Sequence, residues 1–118
     1  MQTRSEGATL DYITRTFVRE PDYIARIRVE GERRRAGMQI SAFEGHLLAW
    51  LVSISGAKNI LEIGAFMGVS TLWMASGLPE DGHIVSLEFD AIHAQIAAAN
   101  VAASPHKNSV HIIHTNAH

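Results

Sequence analysis

The chain has 118 residues, of which 47% are apolar and 19% charged, with a formal net charge of −2 and no cysteine. That length suits one domain able to bury a core, and the composition excludes a disordered polymer. The slight acidity offers no attraction for nucleic acid or an anionic membrane, and the absence of cysteine excludes thiol and disulfide chemistry.

No stretch approaches the ~18 apolar residues of a membrane span, and the N-terminus lacks the apolar region of a signal peptide, so a soluble cytoplasmic protein is expected. The first eight residues are polar and expected to fray. Leu10, Ile13 and Phe17 recur at helical spacing, which predicts a short helix from Thr9 to about Arg19, ending before Pro21. Pro21 suits the first turn of a second helix that runs to about Arg35 and closes near Gly37. Arg33, Arg34 and Arg35 at its end read as a solvated cluster complementing the helix dipole, with anion binding as the rival reading.

Ser41 followed by Glu44 is a capping-box pattern, and Phe43, Leu47, Leu48, Leu51 and Val52 supply an apolar stripe. A helix from about Ala42 to Ser55 follows, stopped by Gly56. KNILEI (58–63) reads as a buried strand, Val69 to Ala75 as a helix and PEDG (79–82) as a turn. His83 to Leu87 forms a second strand. Asp90 then caps an alanine-rich helix to about Ala103, in which Ala94, Ala97, Ala98, Ala102 and Ala103 would let it lie close to a sheet. SVHIIH (109–114) is the third strand. The expected fold is therefore α/β, a βαβαβ parallel half-sheet within residues 41–118 preceded by a helical segment over residues 1–40.

The first strand runs into a loop with Gly64 and Gly68, where backbone can approach a ligand closely at the carboxyl end of a sheet. The dinucleotide fingerprint has a second glycine two residues after the first, but Phe66 stands there, and Glu62 adds an acid on the strand. A pyrophosphate gains nothing from a neighbouring carboxylate, whereas a ligand with a cationic amine or sulfonium and its own carboxylate fits. Glu88 ends the second strand about twenty residues past the loop, where an acid can accept hydrogen bonds from both hydroxyls of a ribose. Ser70 is placed to cap the following helix, to donate to a ligand carboxylate, or to do both.

The run NILEIGAFMGVSTLWMASGLPEDGHIVSLEFDAIHAQIAAANV (59–101) resembles the cofactor-binding half of the class I S-adenosylmethionine-dependent O-methyltransferases of the catechol and caffeoyl-CoA type. The resemblance extends from about Met38 to the C-terminus, although Ala42 stands where a proline is common. It implies a Rossmann-like methyltransferase fold and S-adenosylmethionine as cofactor. Glu62, Gly64 and Ser70 would hold the methionine moiety, with Phe66 shaping the pocket beside it and Gly68 also among the cofactor-binding residues. Glu88 would bind the ribose, Phe89 would pack on the adenine, and Met38 would lie against the cofactor. Thr115, Asn116 and Ala117 stand where the family has Gly-Asp-Ala near the adenine, so two of the three depart from its pattern.

The same resemblance implies methyl transfer to a hydroxyl of a small phenolic acceptor, a homodimer, and a divalent cation in the intact enzyme. The family's metal ligand, base and acceptor pocket lie beyond His118, so no catalytic or metal-binding residue is assigned. A longer enzyme of which this is the N-terminal part is expected, the alternative being a partner chain that covers the open edge of the first strand. A different class of reading is an inert cofactor-binding module that self-associates through that edge. His106, His111, His114 and His118 cluster near the C-terminus, but His111 and His114 point to opposite faces of a strand and lack acidic companions, which disfavours zinc. His93 is expected to line the cofactor entrance or face solvent.

Overall fold

Residues 4–115 are described by the computed structural model. Helix α1 (Arg4–Phe17) starts five residues earlier than the apolar spacing predicts, with Glu6 in its first turn favourably placed against the helix dipole. Helix α2 (Asp22–Arg34) starts behind Pro21 and buries Ile24 and Ile27, while Arg33 and Arg34 at its far end both pair with Glu30. The capping box of α3 (Ala42–Ser55) is complete: Ser41 Oγ accepts from the Glu44 N–H at 3.1 Å, and Glu44 Oε1 accepts from the Ser41 N–H at 2.9 Å. Gly56 ends the helix at φ +69°, a conformation glycine adopts without steric cost.

Strands β1 (Asn59–Ile63), β2 (His83–Glu88) and β3 (Val110–His114) form one parallel sheet in the order β1-β2-β3, linked by α4 (Val69–Ser76) and α5 (Ala91–Ala102). Leu61 pairs with Val85 and Glu62 with Ser86, while Glu88 stands opposite His114. Asp90 caps α5 by accepting the N–H groups of Ile92 and His93, bonds that hold its carboxyl below the ordinary carboxylate range. Both crossovers advance in the same direction, so right-handed connections put α4 and α5 on one face. Ile84 and Val110 on that face form an apolar core with Ile24, Met67, Leu72 and Trp73, and Ser86 is buried on the same face.

This one-sided layering corrects three expectations. The first strand is not buried: Leu61 and Ile63 are each 65% exposed, because they point to the other face, which no described element covers. On α5 only Ala94 and Ala97 turn inward with Val101, as helical periodicity requires, and Ala98, Ala102 and Ala103 remain exposed. On α3 the apolar stripe splits. Val52 is buried and Leu48 half-buried, but Leu47 and Leu51 are exposed, because the close contact with α4 runs along Gly45 and Ala49 instead.

A second tie joins distant parts of the chain. The Tyr23 hydroxyl of α2 lies 3.0 Å from His106 Nε2 in the α5–β3 loop. Burial pushes His106 below the usual histidine range and Tyr23 above the usual tyrosine range, so both are held neutral. With its folded pKa depressed, His106 binds fewer protons in the native than in the unfolded state. Its contribution to stability is present above the ordinary histidine value near 6.5 and is lost as pH falls below it. The expected result is a melting temperature that drops between pH 7 and pH 5 in wild type, with a shallower drop in His106→Gln, measured by circular dichroism.

Candidate functional site

At the carboxyl end of β1 the chain must leave the sheet and enter α4 within five residues. It does so with left-handed backbone at Gly64 (φ +91°), Phe66 (φ +49°) and Gly68 (φ +99°). For Phe66 this conformation costs on the order of 1 kcal/mol, and it persists because the surroundings over-determine it. Its ring is buried and meets the His93 imidazole edge-to-face at 4.8 Å, and its N–H donates to Glu88 Oε1 at 2.7 Å. The missing glycine of the fingerprint is thus replaced by a residue that keeps the glycine backbone shape and fills the space above it.

Three of the loop N–H groups are already committed. That of Gly64 donates to the Leu87 carbonyl at 2.7 Å, that of Phe66 to Glu88, and that of Gly68 to the Ala65 carbonyl at 2.9 Å. A pyrophosphate cradle needs such donors free and aimed at the ligand. What the loop presents is two carboxylates.

Glu62 points to the helix-covered face, where three hydroxyls hold it. Oε1 accepts from Thr71 Oγ1 at 2.5 Å and Ser86 Oγ at 2.7 Å, and Oε2 accepts from Ser70 Oγ at 2.5 Å. An ionised carboxylate has about four acceptor positions, so one on Oε2 remains for a further donor. Ser70 does not cap α4, whose N-cap is Gly68. Its hydroxyl proton is committed to Glu62, so the expected donation to a ligand carboxylate is not available without breaking that bond. Neither Thr71 nor Ser86 was singled out from the sequence; the in-register pairing of Glu62 with Ser86 is the signal that could have found the second.

Glu88 is 8% exposed and fastens β2 to the loop. Besides the Phe66 N–H, it accepts the Asp90 N–H on Oε2 at 2.8 Å, leaving one acceptor position on each oxygen. Its own carbonyl accepts the Thr115 N–H at 3.0 Å. Phe89, next along, exposes 63% of its surface. A cleft of about 190 Å³ opens beside the loop, between Met38, Gln39 and Ile40 on one side and Gly64, Phe66 and Ser70 on the other. A methyl group built on Gly64 would meet nothing within 4 Å, so this wall is open to a ligand.

Met38, Gly64, Phe66 and Ser70 are therefore brought together around one cleft, Glu62 stands behind Ser70, and Gly68 and Glu88 close the loop from the side. Asn116 and Ala117 lie outside the described residues. A methyl group on Gly68 would make only ordinary contact, 3.9 Å from Ala97 on α5, so its left-handed φ of +99° rather than lack of space calls for glycine. Among the described residues no three His, Asp or Glu side chains converge where a metal ion could be held. The stacked pair His83 and His111, 6.4 Å apart on the uncovered face of the sheet, has no third partner of that kind.

Comparison with known proteins adds to this geometry. A family model described as O-methyltransferase matches residues 15–118. A catechol O-methyltransferase of Niastella koreensis is 44% identical over 69 residues, covering 56% of this chain and 31% of that protein. Caffeoyl-CoA O-methyltransferase 1 of Nicotiana tabacum is 36% identical over 92 residues, covering 75% and 38%. The crystal structure of an O-methyltransferase from Bacillus cereus in complex with SAH superimposes with a TM-score of 0.85 at 32% identity, covering 93% of this chain and 50% of that one. The chain spans half or less of the length of these relatives.

Proposed function

The chain belongs to the O-methyltransferase family, and on that premise we propose that it binds S-adenosylmethionine and serves methyl transfer to a hydroxyl of a small, phenolic-type acceptor. The observation that carries this reading is the pair of carboxylates, Glu62 and Glu88, flanking a loop in which the N–H groups of Gly64, Phe66 and Gly68 are taken. Such a site repels phosphate and suits a ligand with an ammonium group at one end and a ribose diol at the other.

When bound, the cofactor supplies a methyl group on a sulfonium centre. In this reading the free acceptor position of Glu62 takes the ammonium, in a geometry already set by Ser70, Thr71 and Ser86. The first turn of α4 offers its positive dipole end to the carboxylate, which Gly64 allows to approach. Glu88 receives the two ribose hydroxyls on its remaining acceptor positions. Phe89 provides an exposed ring for the adenine, to which the reading also assigns Asn116 and Ala117, and Met38 and Phe66 exclude water from the methionine arm. Orientation and a fixed electrostatic environment are the contributions these residues can make to an in-line transfer. No described residue is assigned as catalytic base or cation ligand.

The same reading takes residues 1–40 as a helical segment over a cofactor-binding unit of residues 41–118. It takes the protein as cytoplasmic, and among the described residues no helix is long and apolar enough to cross a membrane. A homodimer and acceptors like those in the relatives' names, catechol and caffeoyl-CoA, belong to this proposal too. Isothermal titration with S-adenosylhomocysteine tests it: saturable micromolar binding is expected, with none for NAD. Binding of NAD in preference would overturn it.

The uncovered face with Leu61 and Ile63, at an edge strand, favours a second reading as a self-associating module without turnover. Methylation of a catechol by the 118-residue chain alone would count against that second reading.

A further inference from the structure

The cleft has two walls that come from distant parts of the chain, and one carboxylate connects them. The first wall is the strap Met38–Gln39–Ile40, which has no regular secondary structure of its own. It is held by α2. Arg28 Nη1 donates to the Ile40 carbonyl, and Gln39 Nε2 donates to the Arg28 carbonyl at 3.0 Å. The Gln39 amide fits only because α2 carries Gly31 there, where a methyl group would lie 2.2 Å from Gln39 Oε1. That oxygen is buried with no hydrogen-bond partner among the described residues, so the amide alone is a poor anchor and the Arg28 fork must hold the strap.

The second wall is the glycine loop with the start of α4. Trp73, three residues beyond Ser70 on α4, donates its Nε1–H to Glu20 Oε2 at 3.0 Å. Glu20 is also the bidentate partner of Arg28, with Nε to Oε1 at 2.8 Å and Nη2 to Oε2 at 2.6 Å. Both side chains of that pair are largely withdrawn from solvent, at 21% and 12% exposure, where a paired, hydrogen-bonded fork holds geometry better than a surface ion pair. Glu20 therefore ties α4 to Arg28, and Arg28 ties α2 to the strap.

We propose that Glu20 and Arg28 are positioning residues that set the spacing of the two cleft walls and thereby the affinity for the cofactor. This rests on the cofactor reading above. Neither residue lines the cleft; both act through Ile40 and Trp73. A lysine at position 28 can reach Glu20 or the Ile40 carbonyl but cannot span both with a planar fork, so it restores only part of the function.

The test is S-adenosylhomocysteine titration of the 118-residue chain in a Trp50→Phe background, which leaves Trp73 as the sole indole. Arg28→Ala is expected to raise Kd about ten-fold or more, with Arg28→Lys intermediate, and to shift Trp73 emission in the free protein as Glu20 loses its partner. Glu20→Gln is expected to have a similar effect, and combining it with Arg28→Ala should add little, since the two act as one unit. A cooperatively folded Arg28→Ala protein with Kd within two-fold of its parent overturns the proposal. If that variant does not fold, Arg28→Lys and Glu20→Gln decide on the same criterion. A parent protein that binds no S-adenosylhomocysteine overturns the cofactor reading itself, and the role of the clamp in affinity falls with it.

Discussion

Replacing Glu88 by alanine should weaken S-adenosylhomocysteine binding by about 100-fold, the largest loss expected for any single side chain of the site. Two hydrogen bonds from a diol to a carboxylate, at roughly 1.5 kcal/mol or more each, amount to about 3 kcal/mol, or two orders of magnitude in Kd. The same substitution acts on the fold, because Glu88 accepts the N–H groups of Phe66 and Asp90. The Phe66 donor would be left buried, in a left-handed conformation that this bond helps to hold, at a cost of about 1–3 kcal/mol. Glu88→Gln separates the two effects. Its amide oxygen can keep the Phe66 bond, so stability should fall less than in Glu88→Ala, while the NH₂ group cannot accept a ribose hydroxyl. Calorimetric titration beside urea unfolding reads both quantities. A Glu88→Gln protein with unchanged Kd would show that the ribose is held elsewhere.

The second large effect is structural and lies at the contact of α3 with α4. A methyl group on Gly45 would fall 2.2 Å from Cδ1 of Trp73, far inside van der Waals contact. The indole cannot swing away cheaply, since it is almost wholly buried, its Nε1–H is bonded to Glu20, and the His46 ring lies edge-on to it at 6.0 Å. Gly77 closes the same contact at its other end, where a methyl group would meet the Ala49 carbonyl oxygen at 2.2 Å. Gly45→Ala should therefore cost about 3 kcal/mol, the upper end of ordinary overpacking, and lower the melting temperature by roughly 10 °C. Adding Trp73→Phe should recover part of the loss, because the smaller ring vacates the position of Cδ1. A Gly45→Ala protein melting within 2 °C of wild type, a margin of about 0.5 kcal/mol, would contradict this packing.

These two residues also mark what was legible before any coordinates. Glu88 stood out by its place at the end of a predicted strand, a fixed distance past a glycine loop. Gly45 did not stand out at all, since nothing local distinguishes a glycine that admits a tryptophan from the next helix. The same contrast runs through the molecule. The caps at Ser41 and Asp90 and the stop at Gly56 lie where the sequence predicts them, because each is made by residues within one helical turn.

Local sequence by itself determined the order of elements, the parallel half-sheet and the two acids beside the glycine turn, because propensity, capping and alternation act over a few residues. Tertiary structure decided the rest. The register of β1 against β2 brought Ser86 to Glu62, and the shared face of α4 and α5 left Leu61 and Ile63 uncovered. The bond from Phe66 to Glu88 set a left-handed turn that a phenylalanine does not choose alone, and Glu20 joined Trp73 to an arginine eight residues away on another helix. Each of these depends on which groups meet across the chain, and a hydrogen bond or a steric gap has no counterpart in sequence until its partner is in place.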